Sequence, residues 1–484
     1  MRVLLVNPPW EKPGHYYVRA GSRWPHFERA GTRYMPFPFF MAYAAALLEQ
    51  SGFAPAVVDA CAERLTATAF LARVESARPD LVLMETSTPS FANDREVLQQ
   101  MRRRVPDGGR FAVAGAWQDP DGRSYLSQVP EADFFLPGEY EETLLELAQA
   151  LADGRPTRTI PSLELRDGTN VLRTPARPLR ADLDTLPHPA RHLFDMHRYE
   201  DLSGCLPAPS LQLWGSRGCP YGCVFCVWPQ IMYRSRTYRA RRPARIVDEI
   251  VAERARFPYR SFYFDDDTFN IGKERMLELA AELQRRQVGL PWGMMARADT
   301  SDEETLARLR EAGLEAAKFG LESADQALVD GARKSLDLAV AFRHIRFARS
   351  LGIKVHLTFT FGLPGETKET IKKTVDTALE LDPVSVQFSI LTPFPGCDLF
   401  QTLRREDRLT SLDFTRYDGY TSAVFRSDTL SAATLEKACA YAERRWRRHQ
   451  LRRLVFGGPA GLWQKALANP GKAVDILLGL LHLR

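Results

Sequence analysis

The sequence predicts an α/β protein: a doubly wound parallel sheet, then a β/α barrel, then a helical extension. Three observations carry this. Short apolar strands alternate with amphipathic helical stretches in two separate series. A Pro-, Arg- and Asp-rich segment divides the two series. Three of the chain's 7 cysteines fall within eight positions at the end of the first strand of the second series.

The first series opens on RVLLVNPP (2–9), an apolar strand stopped by two prolines. A helical pattern over 38–52 ends at a Gly. Strands follow at 54–60, 80–86, 110–116 and 132–138, with helices at 69–77, 93–105 and 141–154. Strict alternation of this kind builds a parallel sheet covered by helices on both faces, and such sheets bind ligands beyond the carboxyl ends of their strands. No GxGxxG follows the first strand, which argues against a dinucleotide site. We assign this series to a domain of residues 1–154. Residues 155–209, punctuated by prolines, read as a linker with little regular structure.

The second series, 210–395, starts with the strand 210–216. Strands recur at 261–267, 292–298, 316–323, 354–363 and 385–392. Helices lie between them at 244–257, 273–286, 302–313, 339–352 and 369–381. In a β/α barrel the chemistry sits at the carboxyl ends of the strands. Residues 396–484 form the extension, mostly helical by pattern.

With 484 residues, 45% hydrophobic and 26% charged, the chain suits a soluble protein of two large units. The net charge of +5 does not by itself predict a nucleic-acid partner. The apolar run at the start is too short for a signal core or a membrane span, so a cytoplasmic setting with reduced thiols is expected.

In that setting GCPYGCVFC (218–226) asks for a metal. Its spacing is Cys-x3-Cys-x2-Cys: Cys219, Cys223 and Cys226. Structural zinc usually takes two Cys pairs, and no second pair is present. Three thiolates suit an iron–sulfur cubane with one iron left open to a chelating ligand. A three-cysteine zinc site, in a non-catalytic nucleic-acid-binding protein, is the rival from another class. No RNA-binding module is visible to support that rival, and no nucleic-acid partner is expected.

A CxxxCxxC loop with Phe225 before its last Cys, after the first strand of a β/α barrel, resembles the radical S-adenosylmethionine (SAM) enzymes. The resemblance implies a [4Fe–4S] cluster on the three cysteines, SAM on the open iron, and a 5′-deoxyadenosyl radical that abstracts hydrogen from unactivated carbon. It implies further SAM contacts: Asp266 and Asp267 in FDDDTF (264–269), in place of a Gly-Gly-Glu motif, for the amino group, and Arg297 for the carboxylate. Glu322 and Ser323 in GLES are implied near the ribose, with Gly362 and Gly365 in FGLPGET near the adenine. An EF-hand reading of the Asp cluster fails, because Asn270 and Met276 stand where Gly and Glu are needed.

A doubly wound domain ahead of such a barrel resembles the cobalamin-binding branch of that family, with a Rossmann-like first domain. The loops after its strands would face the corrin, which names Pro8, Pro9, Ser87, Thr88 and Gly115, with GEYEE (138–142) beside them. The Asp-x-His-x-x-Gly motif is absent and His15 lacks its surroundings, so cobalamin without a protein His ligand is expected. The implied activity is methyl transfer to an unactivated carbon of a small-molecule or lipid substrate. The alternative is a radical rearrangement of a lipid headgroup without methyl transfer. The segment CVWPQ (226–230) resembles hopanoid-associated members. An electron donor such as flavodoxin or ferredoxin is implied. RRWRRHQLRR (444–453), with Trp446, precedes an apolar stretch, 471–484. Together they suit peripheral membrane contact or, equally, a helix packed on the barrel. Cys61, Cys205 and Cys439 read as scattered core or surface thiols; Cys397, after the sixth strand in PFPGCD, is placed to reach the active site, with a structural role the expected reading.

Overall fold

The computed structural model describes residues 1–456 apart from 19–25, 30–33, 106–107 and 203. The first domain is built on a sheet of seven strands. Five are parallel: β1 (Val3–Asn7), β2 (Ala56–Asp59), β3 (Leu81–Glu85), β4 (Arg110–Gly115) and β5 (Phe134–Pro137). β1 pairs with both β2 and β3, giving the spatial order 2-1-3-4-5. The order reverses between β1 and β3, a switch point of the kind at whose carboxyl ends doubly wound sheets place a ligand crevice. β1 and β3 are buried throughout, as expected for strands covered on both faces.

The linker departs from expectation. Residues Glu164–Asp167 (β6) and Asn170–Arg173 (β7) form a hairpin that adds antiparallel to β5 and completes the sheet. A second hairpin, His15–Val18 with His26–Arg29, follows β1.

Six parallel strands make the barrel wall, each paired with its successor: β8 (Ser210–Leu213), β9 (Ser261–Phe264), β10 (Trp292–Ala296), β11 (Leu314–Glu322), β12 (Lys354–Phe361) and β13 (Ser385–Ile390). Helices Pro243–Arg256, Lys273–Arg285, Glu303–Glu311, Leu338–Ser350 and Lys368–Leu381 connect them on the outside.

A buried ionic group ties the linker to the barrel. Arg191 and Arg241 both reach Glu249, at 2.7 and 2.5 Å. Gln212 on β8 accepts from Phe37 N–H at 2.7 Å, which joins the first domain to the barrel's first strand.

The carboxyl-terminal helix, Ala432–Phe456, packs against the barrel. Trp446 is buried, Arg445 pairs with Asp376 and Arg453 with Asp382. This basic stretch is therefore the barrel-packed helix of the two readings above. The apolar stretch 471–484 lies outside the described residues. Among the described residues, no helix is long and apolar enough to cross a membrane.

Candidate functional site

The cysteine loop leaves β8 through a two-residue strand, Ser216–Arg217, paired with Arg239–Ala240. Among the described residues no cysteine forms a disulfide, and Cys219, Cys223 and Cys226 are half-buried. Gly218 has φ +89°, and a Cβ there would lie 2.2 Å from Thr237 O, so only glycine can open the loop. Burial raises the thiols of Cys223 and Cys226, and at Cys226 the neighbouring thiols add to the effect. Among the described residues no three such side chains are gathered closely enough to hold a metal ion, but the thiols of Cys219 and Cys223 act on Cys226, and three thiol donors on one loop are the donor type an iron–sulfur cluster takes.

Hydrogen bonds from two sides hold the loop. Gln230, in the π-helical turn Trp228–Met232, donates to Cys223 O at 2.9 Å and Cys226 O at 3.1 Å. Its Oε1 accepts from Asp398 N–H at 2.7 Å. Leu399 N–H donates to Val224 O at 3.0 Å. Buried Cys397 donates to Phe225 O at 3.5 Å. The CVWPQ segment thus has a structural purpose: its Gln braces two ligand carbonyls.

The acidic cluster after β9 supplies the other clamps. Asp266 is fully buried and accepts from Gly215 N–H and from the Ser216 hydroxyl; burial pushes its carboxyl up to about 7. Asp267 accepts from Gly218 N–H at 3.0 Å and Tyr233 OH at 2.9 Å. The structure turns both carboxylates to the entry of the cysteine loop rather than to open space. Arg297 is likewise engaged. Its fork takes Asp299 at 2.9 Å and the carbonyls of Lys334 and Ser335, each at 2.8 Å, and its plane lies 3.5 Å from the Tyr221 ring centroid. It stiffens the loop from outside.

Glu322 ends β11 at the barrel mouth. It sits at a register break in β11 with φ +66° and accepts from Lys334 Nζ at 2.8 Å and Thr360 Oγ1 at 2.9 Å. Lys334, close enough to Cys223 to oppose the rise in its thiol, was missed by the sequence reading because it lies in an irregular turn. A Cβ on Gly320 would lie 2.9 Å from Glu322 Oε1, so this glycine makes room for the pair. Ser323 faces inward instead. Its hydroxyl is buried, 3.2 Å from Thr374 Oγ1, and accepts from Asp325 N–H. Gly362 and Gly365 have φ +104° and +82° and form the turn after β12. Glu366 accepts from Gly362 N–H across that turn.

In the first domain, Pro8 and Pro9 follow β1, while Ser87 and Thr88 follow β3, on either side of the switch point. Gly115 ends β4. Pro9 O accepts from Asn93 at 3.0 Å, and Pro8 O from the Cys61 thiol. Ser87 Oγ lies 2.7 Å from Ser90 Oγ, which donates to Asp94. The Ser87 hydroxyl is thus engaged within its own loop. His15 Nδ1 lies 3.0 Å from Pro13 O, in the hairpin. The GEYEE loop reaches across to the barrel. Glu141 pairs with Arg217 at 2.7 Å, Glu139 pairs with Arg217 and Arg239, and Tyr140 OH donates to Glu85 at 2.5 Å.

A three-cysteine loop at the end of the first strand of an open six-stranded barrel defines a radical SAM enzyme. Residues 215–378 match the Radical SAM superfamily, a domain that works with SAM and a [4Fe–4S] cluster. Residues 215–378 thus carry a Radical SAM domain, and a separate doubly wound sheet precedes it. It is 26% identical over 417 residues to an uncharacterized methyltransferase of Pyrococcus horikoshii, covering 86% of each chain. It is 27% identical over 449 residues to the anaerobic magnesium-protoporphyrin IX monomethyl ester cyclase of Rubrivivax gelatinosus, covering 90% of this chain and 75% of that one. Its fold is shared with the radical SAM methyltransferase TsrM of Kitasatospora setae, solved with cobalamin and a [4Fe–4S] cluster. The TM-score is 0.65 at 23% identity, covering 84% of this chain and 75% of that one.

Proposed function

We propose that the protein is a cobalamin-dependent radical SAM methyltransferase acting on an unactivated carbon of a small molecule. One observation carries the reading. The loop after β5 is ion-paired through Glu139 and Glu141 to Arg217, two residues before Cys219. This edge of the first domain is thereby fixed against the loop that would hold the cluster. The relative named a methyltransferase supports the same chemistry.

Bound at these places, the cluster with SAM supplies a hydrogen-abstracting radical, and cobalamin supplies a methyl group to the substrate carbon. The chain's own part is positional. Cys219, Cys223 and Cys226 would hold the cluster, and Gln230, Asp266 and Asp267 keep their loop in one conformation. Glu322 and Lys334 present a charged pair at the barrel mouth. Pro8, Pro9, Ser87, Thr88 and Gly115 would border the corrin. Holding reactants in register and excluding water is the protein's contribution in such chemistry. A flavodoxin- or ferredoxin-type reductant completes the proposal. Membrane contact through the tail rests on residues 471–484 alone.

The test is anaerobic reconstitution with iron, sulfide, cobalamin and methyl-deuterated SAM. A brown protein with a base-off cobalamin spectrum, forming 5′-deoxyadenosine and S-adenosylhomocysteine, is expected. A colourless protein would fit the zinc reading. 5′-Deoxyadenosine without S-adenosylhomocysteine would fit rearrangement.

A further inference from the structure

The barrel encloses a cavity of about 500 Å³, within the range of small-molecule sites. Its end near the cysteine loop is aromatic, with Phe225 and Trp228. Its far end is polar and is built from inward positions on three adjacent strands. Register sets Lys318 on β11 beside His356 on β12, and His356 beside Ser385 on β13. Gln387, two residues on, lines the same wall.

Hydrogen-bonding capacity is left over at this end. The Lys318 side chain is only 12% exposed, yet its nearest carboxylate oxygen, on Asp201, is 4.0 Å away, too far for a hydrogen bond. The Tyr34 ring also lies near it, with the centroid at 5.7 Å. His356 Nδ1 lies 2.8 Å from Ser385 Oγ, while its buried Nε2 has no partner among the described residues. Burial and the nearby Lys318 hold this imidazole neutral, with its pKa down to about 3. Buried polar groups without partners are rare in folded proteins and mark places where a ligand completes the set.

We propose that Lys318, His356 and Gln387 bind the carboxylate of a substrate whose apolar body extends toward Phe225 and Trp228. This deepens the methyltransferase reading and rests on it. Three features select a carboxylate. The unspent groups include a cation and an amide donor, which match two acceptor oxygens. Asp201 offsets part of the Lys318 charge, which suits a single negative charge better than a dianion. An aromatic end and a polar end in one cavity suit an amphipathic small molecule, whereas a fused-ring lipid hydrocarbon would leave the polar wall unpaired.

The probes are 3-phenylpropanoate and 3-phenylpropan-1-ol, which share an apolar body and differ in the head group. Binding to the reconstituted enzyme is read by equilibrium dialysis. The carboxylate should bind at least about tenfold more tightly than the alcohol, as a charge-assisted hydrogen bond implies. Lys318→Met should abolish that preference and Lys318→Arg should retain most of it. Equal binding of the two probes, or a preference that survives Lys318→Met, overturns the proposal. Lys318→Arg separates loss of charge from loss of fold. SAM cleavage by the wild-type enzyme is measured alongside. Its absence would count against the methyltransferase reading, while the carboxylate preference would stand or fall on the dialysis alone.

Discussion

Arg217 and Glu141 meet at 2.7 Å in a setting where both side chains are almost wholly buried. Burial works against the Arg217 charge, but Glu141 and Glu139 outweigh it and hold the guanidinium protonated. Arg217 also lies over the rings of Phe40, Tyr43 and Trp214. One side chain thus links a loop of the first domain, the helix Phe39–Gln50, and the first barrel strand to the cysteine loop.

Breaking that link from one side leaves a buried charge without its partner. Arg217→Met should cost about 3–5 kcal/mol and lower the denaturation midpoint. Glu141→Gln should cost less, since Arg217 keeps Glu139 at 3.4 Å. The double variant should be more stable than the sum of the two losses predicts, because neither charge is then stranded. A chemical denaturation series on the three variants measures this. Strict additivity would show that the pair is not coupled.

Gln230 makes a different contribution. Gln230→Leu keeps the volume but removes two hydrogen bonds to ligand carbonyls and one from Asp398. Outer-shell partners of this kind commonly matter by about 10–100-fold in metal affinity. The variant should fold, take up iron on reconstitution, and lose it to a chelator at least about tenfold faster than the wild type. Unchanged iron retention would reduce Gln230 to a spectator.

The cysteines give the sharpest contrast. Replacing Cys219, Cys223 and Cys226 with Ala should abolish iron binding and SAM cleavage. Cys397→Ala, beneath the same loop, should leave iron content near wild type and cost only local packing, about 1 kcal/mol. Cys397 lies outside the Cys-x3-Cys-x2-Cys loop, is buried, and donates to Phe225 O. Iron analysis and 5′-deoxyadenosine yield on the two proteins decide between them. Iron bound to the triple variant would overturn the assignment.

Period and spacing explain what the sequence made legible. The buried parallel strands, β1 and β3 above all, are continuous apolar runs, and the Cys-x3-Cys-x2-Cys spacing is chemistry in itself. The hairpin 164–173 was hidden because its strands sit at a sheet edge, where ELRDGTNVLR is half polar and resembles a loop. The aspartates after β9 were found but not their direction. Residue type alone cannot say that Asp266 and Asp267 face the backbone of the cysteine loop. Arg297 was expected to spend its fork on a ligand, yet Asp299, two residues away, takes it. Lys334 became visible only when a distant turn met the cluster loop, and Gln230, though inside the CVWPQ segment, showed its bracing role only in the fold.

Glu366 gives the turn after β12 a pH dependence of known sign. It is buried, accepts from Gly362 N–H, and burial raises its carboxyl from 4.5 to about 7. A carboxyl raised in the folded protein favours its neutral form, so folding takes up a proton between pH 4.5 and 7. The contribution to stability is therefore full below pH 4.5 and is lost as pH rises through 7, at about 1.4 kcal/mol per unit. Glu366→Gln keeps an oxygen for Gly362 N–H but carries no charge at any pH. The variant should match the wild type near pH 5 and exceed it at pH 8, with a thermal midpoint that falls less between those values. Thermal unfolding of both proteins at pH 5, 6, 7 and 8 measures the difference. Parallel profiles would mean that Glu366 is ionised throughout, with its charge met by the turn's backbone N–H groups.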